Sequence, residues 1–285
     1  MTEKKKKRVY HERFTFGRVL MYVVLFLGSV IALFPFYWMI TGALKTVSEV
    51  NKLPPLLVPG NWLNMENFIY AFKTAPFAIY FRNSLLALLG CITTCTFTTI
   101  LASYAFSRLR FPGRNTIFAL LISLMMVPYE MIIITNYRTI VGWKLHDTLW
   151  ALIIPFTSSI FYTYILKGFF DSVPDSLYQA AKVDGCSDWK YLWRVMVPMA
   201  KSSLATIILL NSIATWNSFM WPMIATNSKE VRTLPFGLYI FMTEGGQRNE
   251  RMMAAATIIV LPMIIVFLFT RKYIISGMSR GGIKG

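Results

Sequence analysis

Charge is scarce in this chain. Only 15% of its 285 residues are Asp, Glu, Lys or Arg, where soluble domains hold about 25%. Acidic residues are the scarcest, 13 against 29 Lys and Arg. With 55% apolar residues, so few charges cannot cover a water-soluble globule. Disorder is excluded from the other side, because disordered chains are poor in aromatics and these make up 15% here. The formal charge of +16 would suit nucleic acid in another setting. A chain this apolar has no wet basic face to offer, so no nucleic-acid partner is expected.

Cysteine and histidine are also few. The three cysteines, Cys91, Cys95 and Cys186, are odd in number and contain no C-x-x-C pair. That argues against a disulfide framework or a zinc site. Cys91 and Cys95, one helical turn apart, read as packing residues. The two histidines, His11 in a charged tail and His146 beside Asp147, form no catalytic set. No G-x-x-x-x-G-K-[ST] phosphate loop is present, so ATP hydrolysis by that route is excluded. No cofactor or metal bound by this chain is expected, and an intramembrane enzyme is the weaker class.

What the chain has in abundance is long apolar runs. About 20 such residues cross the hydrocarbon core as a helix. Spans are predicted at 19–44, 80–107, 115–135, 148–166, 202–226 and 252–272. The first is no cleavable signal: its run is too long, and Phe34, Phe36, Tyr37 and Trp38 are bulky where a cleavage site needs small residues. It should kink or end near Pro35. The expected fold class is all-α, a polytopic membrane protein with six transmembrane helices in one domain over 70–275.

Lys and Arg set the orientation. The basic tail 1–18, loop 2–3, loop 4–5 and the C-terminal tail 273–285 carry 19 of them, and the opposite side carries 10. The richer side should be cytoplasmic, with both termini inside and membrane lipid around the spans. Segment 45–79 is then the periplasmic loop. Its Pro54, Pro55 and Pro59 predict turns, and its Trp62, Phe68, Tyr70 and Phe72 suit an interfacial layer.

The cytoplasmic loop 168–200 has the clearest local signals. Ser172 three residues before Asp175 resembles a capping box, Pro174 suits a first turn, and Gly185 suits a left-handed end. A helix is predicted over 174–183, with Ala180 and Ala181 leaving a small surface. A second helix should start at Ser187. Trp189, Leu192, Trp193 and Met196 would form its apolar face, and Pro198 should mark the bend into span 5.

At this point the residues resemble a known family. The stretch Tyr178-Gln179-Ala180-Ala181-Lys182-Val183-Asp184-Gly185, followed by Val197-Pro198, is similar to the EAA loop of permease subunits of binding-protein-dependent ABC importers. Asn83-Ser84-Leu85, Tyr104-Ala105-Phe106-Ser107-Arg108 with Phe111-Pro112-Gly113, Met126-Val127-Pro128, Trp216-Asn217-Ser218-Phe219 with Trp221-Pro222, and Gly281-Gly282-Ile283-Lys284-Gly285 match the carbohydrate-uptake branch in order. The likeness covers nearly the whole chain and is greatest to the maltose- and glycerol-phosphate-uptake type. One position departs: the motif's Glu is Gln179 here, which removes a carboxylate that would pair with a basic group on the ATPase.

The resemblance implies a sugar importer in the bacterial cytoplasmic membrane. It implies a second permease subunit, two ATP-binding cassette ATPase subunits that use ATP and Mg, and an extracytoplasmic sugar-binding protein. ATPase coupling would fall to Tyr178, Gln179, Ala180, Ala181, Asp184 and Gly185. For the solute pathway the residues themselves point to span 5, where Asn211, Thr215 and Ser218 form a polar stripe beside Trp216 and Asn217. Polar residues in a span line cavities or bond between helices, and both readings stand. Glu130 is the one acid within a span, placed toward its outer end. The alternative class is a stand-alone secondary transporter or channel. Inverted repeats or paired intramembrane charges would mark it, and the sequence has neither.

Overall fold

The computed structural model describes residues 16–243 and 248–281. The basic tail up to residue 15 and the glycine-rich end at 282–285 lie outside the described residues.

Helix α1 spans Phe16–Ala43. It runs through Pro35 without the predicted end there. In an apolar helix the amides around a proline have no water to turn to, so the helix persists despite one lost bond. Side chains 19–37 are all exposed on the single chain, as a lipid- or subunit-facing helix requires. Near its end α1 meets the helix Asn249–Gly281. A Cβ on Gly42 would fall 2.1 Å from Met253 Sδ, so a larger residue there would push the Met253 side chain aside.

The segment 45–79 folds back on the end of α1, more than the predicted turns would require. It contains α2 (Val47–Val50) and α3 (Glu66–Thr74). Asn67 donates to the carbonyls of Ala43 (2.9 Å) and Lys45 (2.8 Å), and Asn64 to that of Leu44 (3.1 Å). These satisfy acceptors that a helix end leaves open. Lys45 is buried, donates to Leu56 O and lies 4.3 Å over the Trp38 ring.

Helix α4 (Phe77–Arg108) is the long rod of the fold. Tyr80, Ser84, Ala87, Cys91 and Cys95 are buried along it, at the three-to-four spacing of one helix face. The next two predicted spans are broken. α5 (Arg114–Leu124) and α6 (Tyr129–Gly142) meet at 101°, so the range 115–135 is not one helix. Pro128 has no N–H for the next helical bond and biases Val127 out of the helical region. α7 (Leu149–Ile153) continues as a 3-10 turn, Ile154–Phe156, and bends by 45° into α8 (Ile160–Asp171). Thr98 of α4 donates to Thr157 O at 2.6 Å, satisfying a carbonyl of that break.

On the same side as the end of α4 lie α9 (Asp175–Val183), α10 (Asp188–Tyr191), a π turn at Leu192–Met196 and α11 (Val197–Met199). The chain bends by 78° into α12 (Lys201–Trp216). Then come α13 (Met220–Ala225), α14 (Leu234–Thr243) and α15 (Asn249–Gly281). α14 is too short at ten residues for a hydropathy scan to reveal. Among the described residues, two helices, Val19–Ala43 and Phe77–Arg108, are long and apolar enough to cross a membrane alone, and up to five spans result if each bent pair counts as one. The sixth predicted span, 252–272, lies within α15.

Three buried clusters hold the bundle. Phe77, Tyr80, Trp216 and Phe241 build the first. Ala87, Ile133, Leu152 and Trp221 build the second. Ile100, Leu166, Phe170, Tyr191 and Met196 build the third. α4 contributes to all three.

Candidate solute cavity and the loop 168–200

A cavity of about 270 Å³ is lined by residues of two helix breaks and of α4. One break, 157–159, contributes Ser158 and Ser159; the other, between α12 and α13, contributes Ser218. Irregular backbone inside a membrane bundle is tolerated where it lines a cavity or is buried in protein. α4 adds Ser84, Ala87 and Cys95, and Phe156, Tyr162, Trp216 and Trp221 supply aromatic walls.

Asn211 is buried in this wall. Its Oδ1 accepts from Thr215 Oγ1 at 3.2 Å, while its Nδ2 has no partner among the described residues. Thr233 Oγ1, also buried, has no partner there either. Other polar groups are already engaged. Trp221 Nε1 donates to Ala151 O at 2.9 Å, and Ser84 Oγ accepts from Leu234 N at 2.7 Å. Among the described residues, no Asp, Glu, Lys, Arg or His lines the space. The arrangement can hold a small polar molecule by neutral hydrogen bonds and ring faces.

Of the span residues singled out by sequence, the structure brings Asn211, Thr215, Trp216 and Ser218 together at the cavity. Asn217 is exposed and does not line it, and Glu130 is exposed in the first turn of α6, also outside it. Sequence reasoning missed Thr233 and Phe156. Thr233 sits 22 positions from Asn211 in a segment without helical periodicity, so nothing pointed to it.

The loop 168–200 is a second constellation. α9 begins one residue later than the predicted 174–183, and Gly185 lies just beyond it at a φ of +72°. Gln179, Ala180, Asp184 and Gly185 are exposed, while Tyr178 and Ala181 are half-buried. Tyr178 donates to Asp188 Oδ1 at 2.7 Å, and Tyr104 of α4 donates to the same oxygen at 2.9 Å. Lys182 Nζ lies 3.0 Å from Asp188 Oδ2. Burial opposes the charge of Asp188, yet the donors Tyr178, Lys182 and Tyr104 hold its carboxyl below the ordinary range. Arg108, at the end of α4, pairs with Asp175 and donates to the carbonyls of Phe170 (2.7 Å) and Val173 (2.6 Å). α9 is thereby tied to α4 at two points.

The second helix of the loop packs differently from its predicted face. Leu192 and Met196 are buried as expected, but Trp189 is 60% exposed and Tyr191 takes an inner place. The π turn explains it: an extra residue per turn rotates the side chains on either side of it relative to one another. Among the described residues, no group of three or more His, Cys, Asp and Glu could hold a metal ion.

Comparison with known proteins places this geometry. Residues 96–280 match the family described as binding-protein-dependent transport system inner membrane component. The arabinooligosaccharides transport system permease protein AraQ of Bacillus subtilis is 31% identical over 96% of this chain and 98% of its own. The inner membrane ABC transporter permease protein YcjP of Escherichia coli is 34% identical over 95% and 98%. The sn-glycerol-3-phosphate transport system permease protein UgpE of Yersinia pestis is 27% identical over 91% and 95%. In fold, the chain superposes with a TM-score of 0.76 on a chain of a bacterial ABC transporter for import of the acidic polysaccharide alginate, at 22% identity and over 96% and 99% of the two chains. These relatives are transport permeases and not enzymes, and the chain belongs to the inner membrane components of binding-protein-dependent transport systems, the permeases of ABC importers.

Proposed function

We propose that this chain is one of two permease subunits of an ATP-driven sugar importer and forms half of its solute pathway. The observation that carries the reading is the pairing, on one chain, of a cavity with unmatched polar groups and an exposed helix α9 fastened to a cavity-lining helix. Relatives named for arabinooligosaccharide and glycerol-phosphate transport agree with it. Six spans would cross the bacterial cytoplasmic membrane with both termini inside. Two ATPase subunits, using ATP and Mg, would couple through Tyr178, Gln179, Ala180, Ala181, Asp184 and Gly185. An extracytoplasmic binding protein would deliver the sugar. ATPase closure would move α9 and tip the helices around the cavity, a rigid-body form of alternating access. Gln179 would meet the ATPase by shape and neutral hydrogen bonds.

The test is co-purification of the chain with a second permease and an ATPase, then ATP hydrolysis stimulated by loaded binding protein. Solute flux by this chain alone, without an ATPase, would instead establish a stand-alone secondary transporter. Gly185→Arg and Ala181→Asp should abolish transport with normal membrane levels; unchanged transport in both would remove α9 from the coupling role.

A further inference from the structure

We propose that the cavity receives a single uncharged ring of the solute and discriminates against anionic ones; this rests on the importer reading above. Of the side chains that line it, only Cys95 and Tyr162 can ionise at all, and both are ordinarily neutral near pH 7. The cations nearest in sequence do not line the space. Arg232, beside Thr233, stacks 4.3 Å from the Phe236 ring centroid, with its Nε buried and unpartnered among the described residues. Arg82, beside the Asn83–Ser84 pair, is exposed and donates to Asn83 Oδ1.

A phosphate or carboxylate entering this space would lose water and meet no positive charge among the described side chains that line it, which is strongly unfavourable. A neutral polyol ring meets the opposite situation. Asn211 Nδ2 is an unused donor and Thr233 Oγ1 an unused hydroxyl, both in residues 5% exposed. A sugar hydroxyl both donates and accepts, so it can satisfy each. An unpaired buried polar group carries a penalty until something bonds to it. The solute would remove that penalty at two points. Trp216 offers a flat apolar surface for the C–H face of the ring. At about 270 Å³, the space is near the lower end of ligand sites, which suits one ring and not a chain of them.

The test uses the assembled complex of permeases and ATPases without binding protein, so that the delivery protein adds no selectivity of its own. Retention of radiolabelled arabinotriose and maltotriose would be compared with that of trigalacturonate and sn-glycerol 3-phosphate by equilibrium dialysis. At least one neutral trisaccharide should be retained at least tenfold more tightly than either anion. Asn211→Ala and Thr233→Val should each weaken that retention at least fivefold with the complex intact. Equal or tighter retention of an anion overturns the inference, as does retention of no solute or unchanged retention in both variants. The importer reading is judged separately in the same preparation, by whether the partner subunits co-purify.

Discussion

A residue with φ of +72° and nothing within 4 Å of its missing Cβ, Gly185, is constrained by backbone alone. Gly185→Ala should therefore cost about 1 kcal/mol, the ordinary left-handed penalty, and Gly185→Asn less, since Asn visits that region more readily. Hydrogen exchange of the α9 amides checks this: opening should become about fivefold easier in the alanine variant, and no change would mean the turn is not held. Trp221 is the contrasting case, constrained by its partner. Trp221→Phe leaves Ala151 O without its side-chain donor and should lower stability by about 1–3 kcal/mol, read by thermal unfolding in detergent. Gly185 was legible in the sequence because a glycine after a proline-led helix has a local meaning. Asn211, Thr215 and Ser218 were legible as a stripe because helical spacing is local too. Thr233 and Phe156 were not, because their positions at the cavity depend on two breaks meeting in space.

At the scale of elements, the proposed coupling runs through the fastening of α9 to α4. Asp188 joins Tyr178, Lys182 and Tyr104. Asp188→Asn and Tyr104→Phe should loosen that tie, so that ATP hydrolysis proceeds with less response to loaded binding protein while transport falls several-fold. A fall in both together, in step with lower protein level, would mean a general packing role. The carboxyl of Asp188 sits below its ordinary range. Its stabilising effect is thus fully present above that ordinary value and is lost as pH falls through the lowered one. Protection of α9 amides should hold from pH 8 to about 5 and drop in stronger acid, a drop absent from Asp188→Asn. The helix α9 could be read from Pro174 and Gly185. The break at Pro128 could not, because apolarity sums across 115–135 whether the helix is straight or bent. The face of α10 was misplaced for a related reason: periodicity assumes a constant turn, and the π turn at Leu192–Met196 violates it.

For the whole molecule, the scarce charges carried most of what was legible, since the apolar runs between them mark where helices lie; the imbalance of Lys and Arg supports the proposed sides. The proposed orientation can be checked with a membrane-impermeant maleimide after Cys186→Ser removes the one partly exposed thiol, Cys91 and Cys95 being buried. A cysteine placed at Leu63, 82% exposed, should label in intact spheroplasts. One at the exposed Ser176 should label only after permeabilisation, and the reverse pattern would invert the topology. A last consequence comes from α4, unbroken over 32 residues and about 48 Å long. It lines the cavity at Ser84 and Cys95 and holds the loop at Tyr104 and Arg108. Because one stiff body serves both ends, the two events it joins share a clock. Fluorophores reporting on α9 and on the cavity should change in a single kinetic phase after ATP is added, with no lag between them.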